Sequence, residues 1–161
     1  MDFPKTSMTH RRMVEKFNVH GGQEVWLPLD GREATVNIAG RFVVFEDALS
    51  HGLRLPLPDF ASGVLDYYGL HPDQIQPQSW AFIMGFIILC SWKKIIPNIA
   101  MFKEFFQVCR GQEWSFHFRT RTIPKLMEEK SIKGWRARYF MLDGLDSFNP
   151  WFKCPPSVQR G

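Results

Sequence analysis

Sixteen acidic residues in a chain of 161 invite a search for a carboxylate metal site. A two-metal phosphodiester site needs three converging acids, the first of them on a strand of an RNase H-type sheet. Asp66 instead falls among residues whose apolar spacing predicts a helix. Spacings such as Asp66 to Glu104 or Asp73 to Glu113 are of the kind that so many acids supply by chance. An aspartic-protease motif needs Asp, a hydroxyl residue and Gly in succession, and Asp30-Gly31 and Asp143-Gly144 lack the middle residue. The five histidines, His10, His20, His51, His71 and His117, show no His-Glu-x-x-His spacing, and Cys90, Cys109 and Cys154 show no Cys-x-x-Cys. Cys109 with a distant His could form a thiol nucleophile pair, but free Cys packs as a small hydrophobe and the core reading carries more weight. No glycine-rich phosphate loop occurs, and Gly21-Gly22 is followed by Gln23 and Glu24, where the carboxylate would repel phosphate. The residues therefore predict no catalytic, metal-binding or cofactor-binding constellation.

One cluster remains. His117, Arg119 and Arg121 alternate along one segment, Arg136 and Arg138 along another, and Lys125, Lys130 and Lys133 lie in the connection between them. From Lys103 to Arg138 there are nine Lys or Arg against four Asp or Glu. If the two segments pair, these cations form a basic sheet face able to track a phosphate backbone, with aromatic residues available to stack bases. The plainer reading, one solvated charged face of an antiparallel sheet, carries more weight.

The elements that must position these residues follow from apolar periodicity. Residues 1–33 carry little of it and read as an irregular lead-in. Val36 and Ile38 alternate with polar neighbours, and Phe42–Phe45 is continuous and β-rich, so one or two short strands are expected there. Glu46–Ser50 reads as a one-turn helix closed by Gly52. Asp59 is placed as the N-cap of a helix carrying Phe60, Val64 and Tyr68, stopped by Gly69 and Pro72. A helix over about Gln78–Trp92 is apolar on every face and belongs at the centre of the core. A further helix is expected from Pro97 or Asn98 to Arg110, with Ile99, Met101, Phe102, Phe105, Phe106 and Val108 in one stripe. Beyond Gly111 the period falls to 2 at Trp114, Phe116, Phe118 and Thr120, and again at Trp135, Ala137, Tyr139 and Met141. Two half-buried strands that pair antiparallel are expected. The predicted fold is α+β, mainly α-helical, with a central apolar helix and a small antiparallel sheet in the C-terminal third. Residues 34–142 form the domain, and 143–161, with Trp151 and Phe152, read as a turn-rich tail.

Length and composition agree with one domain having a core of its own: 45% of residues are hydrophobic and 22% charged. Gly and Pro, at 12 and 11 residues, fall below the level of low-complexity chains. The net charge of +4 tilts only mildly towards polyanions. Three widely spaced cysteines argue against a disulfide framework and for a reducing compartment. The N-terminal residues lack the apolar run of a secretory signal, and the apolar stretch Trp80–Trp92 is shorter than the roughly 20 residues a spanning helix needs, so it reads as a buried core helix, with an interfacial helix as the minor reading. An intracellular protein without a membrane span is expected, with nucleus and cytoplasm not distinguished.

Three stretches, GLRLPLPDF at 52–60, VLDYYGLHP at 64–72 and KGWRARYFM at 133–141, resemble the gypsy-type transposon domain of plant proteins. Pro77 before Trp80, Gly85-Phe86, Phe102 with Phe105-Phe106, and Trp114-Ser115-Phe116 follow in the order that family shows, so the resemblance runs from Phe42 to Phe140. Gln78 stands where Asn is expected and Met141 where Val is commoner. The family has no assigned catalytic residues, and its transposase-like name implies no chemistry. Its members are commonly the front part of longer proteins, so the chain is expected to be a truncated or stand-alone copy. By its position in such elements the domain would be gag-like. The expected function is a non-enzymatic, transposable-element-derived domain acting in protein or self-association, with weak RNA or DNA contact through Arg119, Arg121, Lys125, Lys130, Lys133, Arg136 and Arg138. The alternative is a phosphodiester-processing, transposase or nuclease-like enzyme.

Overall fold

The spacing of Phe60, Val64 and Tyr68 does produce a helix, Asp59–Tyr68, and its stop is Gly69 at φ 63°, a left-handed conformation that glycine adopts without strain. The structure, a computed structural model, describes residues 3–17, 24–32, 41–121 and 132–143. In chain order these carry α1 (His10–Lys16), β1 (Glu24–Trp26), β2 (Phe42–Phe45), α2 (Glu46–Ser50), α3 (Asp59–Tyr68), α4 (Ser79–Trp92), α5 (Ile99–Phe105), β3 (Phe106–Arg110), β4 (Phe116–Thr120) and β5 (Tyr139–Asp143). Single 3-10 turns lie at Pro72–Gln74 and Trp135–Ala137, and the Leu55–Pro56 bond is cis. The class is α+β, as the periodicities predict.

β5 is the middle strand of a three-stranded antiparallel sheet ordered β1-β5-β2, with Trp26 opposite Met141 and Phe45 opposite Tyr139. β3 and β4 form a separate antiparallel ribbon, from Phe106 opposite Thr120 to Arg110 opposite Phe116. A two-stranded ribbon is marginal alone, and this one is clamped to the helices. The buried Ser79 hydroxyl accepts the Phe118 N–H at 2.8 Å, and the Gln76 N–H donates to the Phe116 carbonyl at 2.8 Å. Phe102, fully buried on α5, meets the rings of Phe60, Phe86, Phe106 and Phe118 at 4.8–5.9 Å. A second aromatic cluster, Phe3, Phe45, Trp114, Trp135 and Tyr139, underlies the three-stranded sheet.

The structure departs from the sequence expectations at five places. The helix expected to reach Arg110 ends at Phe105, and Phe106–Arg110 is a strand. Asn98 caps its start by accepting the Met101 N–H. Phe106 and Val108 fit period 2 as well as period 3.6, and pairing with β4 selects the strand. The segments 114–121 and 135–141 do not pair: β4 joins β3, β5 joins β1 and β2, and Trp135–Ala137 is a 3-10 turn. The lead-in is not irregular where it is described. It holds α1, capped by the Thr9 side chain, and β1, and it buries Phe3, Met8, Met13 and Phe17. Pro58, not Asp59, occupies the N-cap position of α3. Finally, α4 buries Trp80, Phe82, Ile83 and Phe86 but exposes Ile88, Leu89 and Trp92 near its C-terminal end. Val36 and Ile38, most of the 122–134 connection, and Trp151, Phe152 and Cys154 lie outside the described residues.

Candidate interaction surfaces

Arg138 leads into β5, and its guanidinium is committed inward. Its Nε donates to Asp47 Oδ2 at 2.8 Å, and its Nη2 donates to the Lys133 carbonyl at 2.9 Å. It also lies 4.0 Å from Glu46 Oε2. Glu46 is buried, and Arg12 Nε donates to its other oxygen at 2.6 Å. The hydrogen bond it donates to Glu46 pushes the Arg12 guanidinium pKa above its ordinary value. Arg136 lies over the rings of Trp135 at 5.1 Å and Trp114 at 5.8 Å, and its Nη2 donates to the Gln112 carbonyl at 3.1 Å. Arg121 reaches back to the Phe106 carbonyl at 3.2 Å. Arg119 is exposed on β4, with Gln107 as its cross-strand neighbour. Lys133 is exposed, and Lys125 and Lys130 lie outside the described residues.

The basic face expected from the sequence is therefore divided between two sheets. Arg119 and Arg121 belong to the β3-β4 ribbon, while Arg138 is bonded to α2 and Arg136 to aromatic rings. Lys133, Arg136 and His117 do meet, around a polar cavity of about 500 Å³ that Gln76, Gln112 and Trp135 also line. Sequence alternation suggests this meeting only through the incorrect pairing of β4 with 135–141.

The histidines and cysteines find structural places. The buried His71 ring bonds to Asp73, and the His71 N–H donates to Gln74 Oε1 at 2.8 Å, so His71 organises the 3-10 turn. Cys90 is buried on α4, where desolvation pushes its thiol pKa up, and Cys109 is half-buried on β3. Asp66 is on α3 and exposed, as its helical setting predicts. Among the described residues, no group of three or more His, Cys, Asp or Glu side chains lies together.

The surface that sequence reasoning carried only as a minor, interfacial reading of Trp80–Trp92 is apolar. Ile88, Leu89 and Trp92 share one side of α4, and Ile95 and Ile96 follow in the turn. Trp92 is 74% exposed, Ile96 86% and Ile88 67%, with Leu89 and Ile95 also exposed. Scattered exposed apolar residues are ordinary, but five within nine positions are a concentration of the kind that marks an interaction site. The signal was present as an apolar helix running straight into Trp92-Lys93-Lys94-Ile95-Ile96. Periodicity could not show that only its first half has partners.

No curated protein and no solved structure matches the chain. The resemblance drawn from residues 52–60 and 64–72 is borne out, while the 133–141 stretch lies beyond the match: the family model described as Putative gypsy type transposon matches residues 43–110, from β2 to β3 of this chain.

Proposed function

We propose that this transposon-related domain is a non-enzymatic association module that docks through the exposed end of α4. The observation that carries the reading is the apolar patch Ile88, Leu89, Trp92, Ile95 and Ile96. Leaving such side chains in water forgoes about 1.5–3 kcal/mol for each one that a partner could bury, a gain available only on docking. Nucleic-acid contact is the weaker part of the reading, because Arg136 and Arg138 already serve internal partners.

Binding of the apolar dye bis-ANS to the full chain tests the docking surface. Wild type should take up dye, and Trp92→Ser with Ile96→Ser should lose most of that uptake while circular dichroism and the melting curve stay unchanged. Equal uptake by both proteins, or none by wild type, refutes the assignment of the surface. A labelled single-stranded RNA titrated at about 50 and 200 mM salt tests the nucleic-acid part, since phosphate contacts impose a steep salt dependence. Strong, salt-sensitive binding that falls in Arg119→Ala and Arg121→Ala would restore the basic ribbon as a working surface.

A further inference from the structure

The identity of what covers the α4 end can be argued from its charge and shape, and this step rests on the docking reading above. No Asp or Glu occurs between Gln74 and Lys103, while Lys93 and Lys94 interrupt the apolar patch and are exposed. Lys93 Nζ sits 4.6 Å from the Trp92 ring centroid. The tip is thus apolar and cationic with no acid of its own. A symmetric contact of this tip with that of a second copy would gather four lysines at one interface with nothing on the tip to neutralise them. Trp92 and Ile96, 74% and 86% exposed, stand out from the tip. Trp at the boundary, apolar side chains beyond it and Lys able to reach headgroups are what an anionic bilayer surface accepts.

The backbone is prepared for such a surface. The Lys93, Lys94 and Ile95 N–H groups bond to the Leu89, Ser91 and Cys90 carbonyls at 3.0, 3.0 and 2.8 Å. These bonds satisfy carbonyls at the helix end that would otherwise be costly to take out of water. Lys94 adopts φ 55° in this closure, turning Ile95 and Ile96 out beyond the helix. With 14 residues, α4 is about 21 Å long, and no described helix is long and apolar enough to cross a membrane. We propose that the tip formed by Trp92, Ile95 and Ile96, flanked by Lys93 and Lys94, inserts shallowly into an anionic lipid surface.

Co-sedimentation of the full chain with phosphatidylcholine vesicles containing about 30% phosphatidylserine, against phosphatidylcholine alone, tests this. Binding is expected only to the anionic vesicles. A Lys near an anionic leaflet is worth about fivefold in partitioning, so Lys93→Glu with Lys94→Glu should weaken binding by about 30-fold or more. Trp92→Ser with Ile96→Ser should weaken it at least about tenfold, with an unchanged melting curve, while Arg119→Ala, a cation away from the tip, should have no effect. Binding that ignores phosphatidylserine, or that survives both tip variants, overturns the proposal. If vesicles are not bound but bis-ANS uptake remains Trp92-dependent, the lipid assignment falls and the docking reading stands; if dye uptake is also absent, both fall.

Discussion

Arg138→Ala should destabilise the fold by about 2–3 kcal/mol while leaving RNA binding unaltered. The magnitude follows from what the guanidinium holds. It donates to Asp47 at 2.8 Å and to the Lys133 carbonyl at 2.9 Å, and it lies 4.0 Å from the buried Glu46. A hydrogen bond to a charged group contributes about 1.5–3 kcal/mol and a neutral one about 1. Because Arg138 and Asp47 are both partly exposed, the sum is discounted for solvent screening. Truncation also leaves Arg12 as the remaining ion-pair partner of the Glu46 carboxylate among the described residues. In urea, with a slope of about 2 kcal/mol per M, the unfolding midpoint should fall by about 1–1.5 M. Arg138→Lys should recover less than half of this, since an ammonium lacks the planar fork that spans Asp47 and the Lys133 carbonyl. Arg119→Ala, on the exposed face of β4, should shift stability by less than about 0.5 kcal/mol. A midpoint change for Arg138→Ala no larger than that of Arg119→Ala would refute the internal role and return Arg138 to the solvent-facing set.

Phe102→Ala removes the ring around which Phe60, Phe86, Phe106 and Phe118 pack, so thermal melts should report a loss of about 3–5 kcal/mol; a loss below about 1.5 kcal/mol would mean that α5 does not anchor the core. Ser79→Ala leaves the buried Phe118 N–H without its acceptor, a cost of about 1–3 kcal/mol, and hydrogen exchange at the Phe118 amide should accelerate relative to the β5 amides. Burial pushes the Cys90 thiol and the Tyr68 phenol pKa up, so in alkaline solution the folded chain keeps protons that the unfolded chain releases. Their contribution is full below about pH 8.5, the unfolded thiol value, and declines as pH rises through the folded values. The melting midpoint should fall steadily from about pH 9 upward, and a flat profile to pH 10.5 would contradict it.

Much of the helical framework was legible because its signals are local. Phe60, Val64 and Tyr68 recur at fours, and the left-handed Gly69 ends their helix within its own hydrogen-bonded turn. Glu46–Ser50 and the apolar run from Ser79 to Trp92 were legible in the same way. Phe106–Arg110 was not, because its side chains satisfy either period and the choice rests on backbone bonds to Phe116–Thr120. The N-terminal residues carry too few apolar positions to show a period. Yet Met13 is fully buried, and Ser7 donates to the Ala137 carbonyl, a partner 130 residues away.

The candidate site divides along the same line. Sequence alone determined the residue inventory: an apolar helix ending in Trp92-Lys93-Lys94, arginines clustered after Gly111, and stop signals that bound the helices. Only the tertiary structure decided which groups remained available. Alternation identifies a strand's two faces but not its neighbour, so Arg136 and Arg138 left the expected basic face once β5 paired with β1 and β2. Hydropathy likewise records that Trp80 and Trp92 both prefer burial. Packing against α3 and β4, and against the rings of Phe102 and Phe106, supplies partners along the first part of α4, while Trp92 at its end remains in water. Burial is a property of the neighbours a side chain acquires, and those neighbours come from distant parts of the chain.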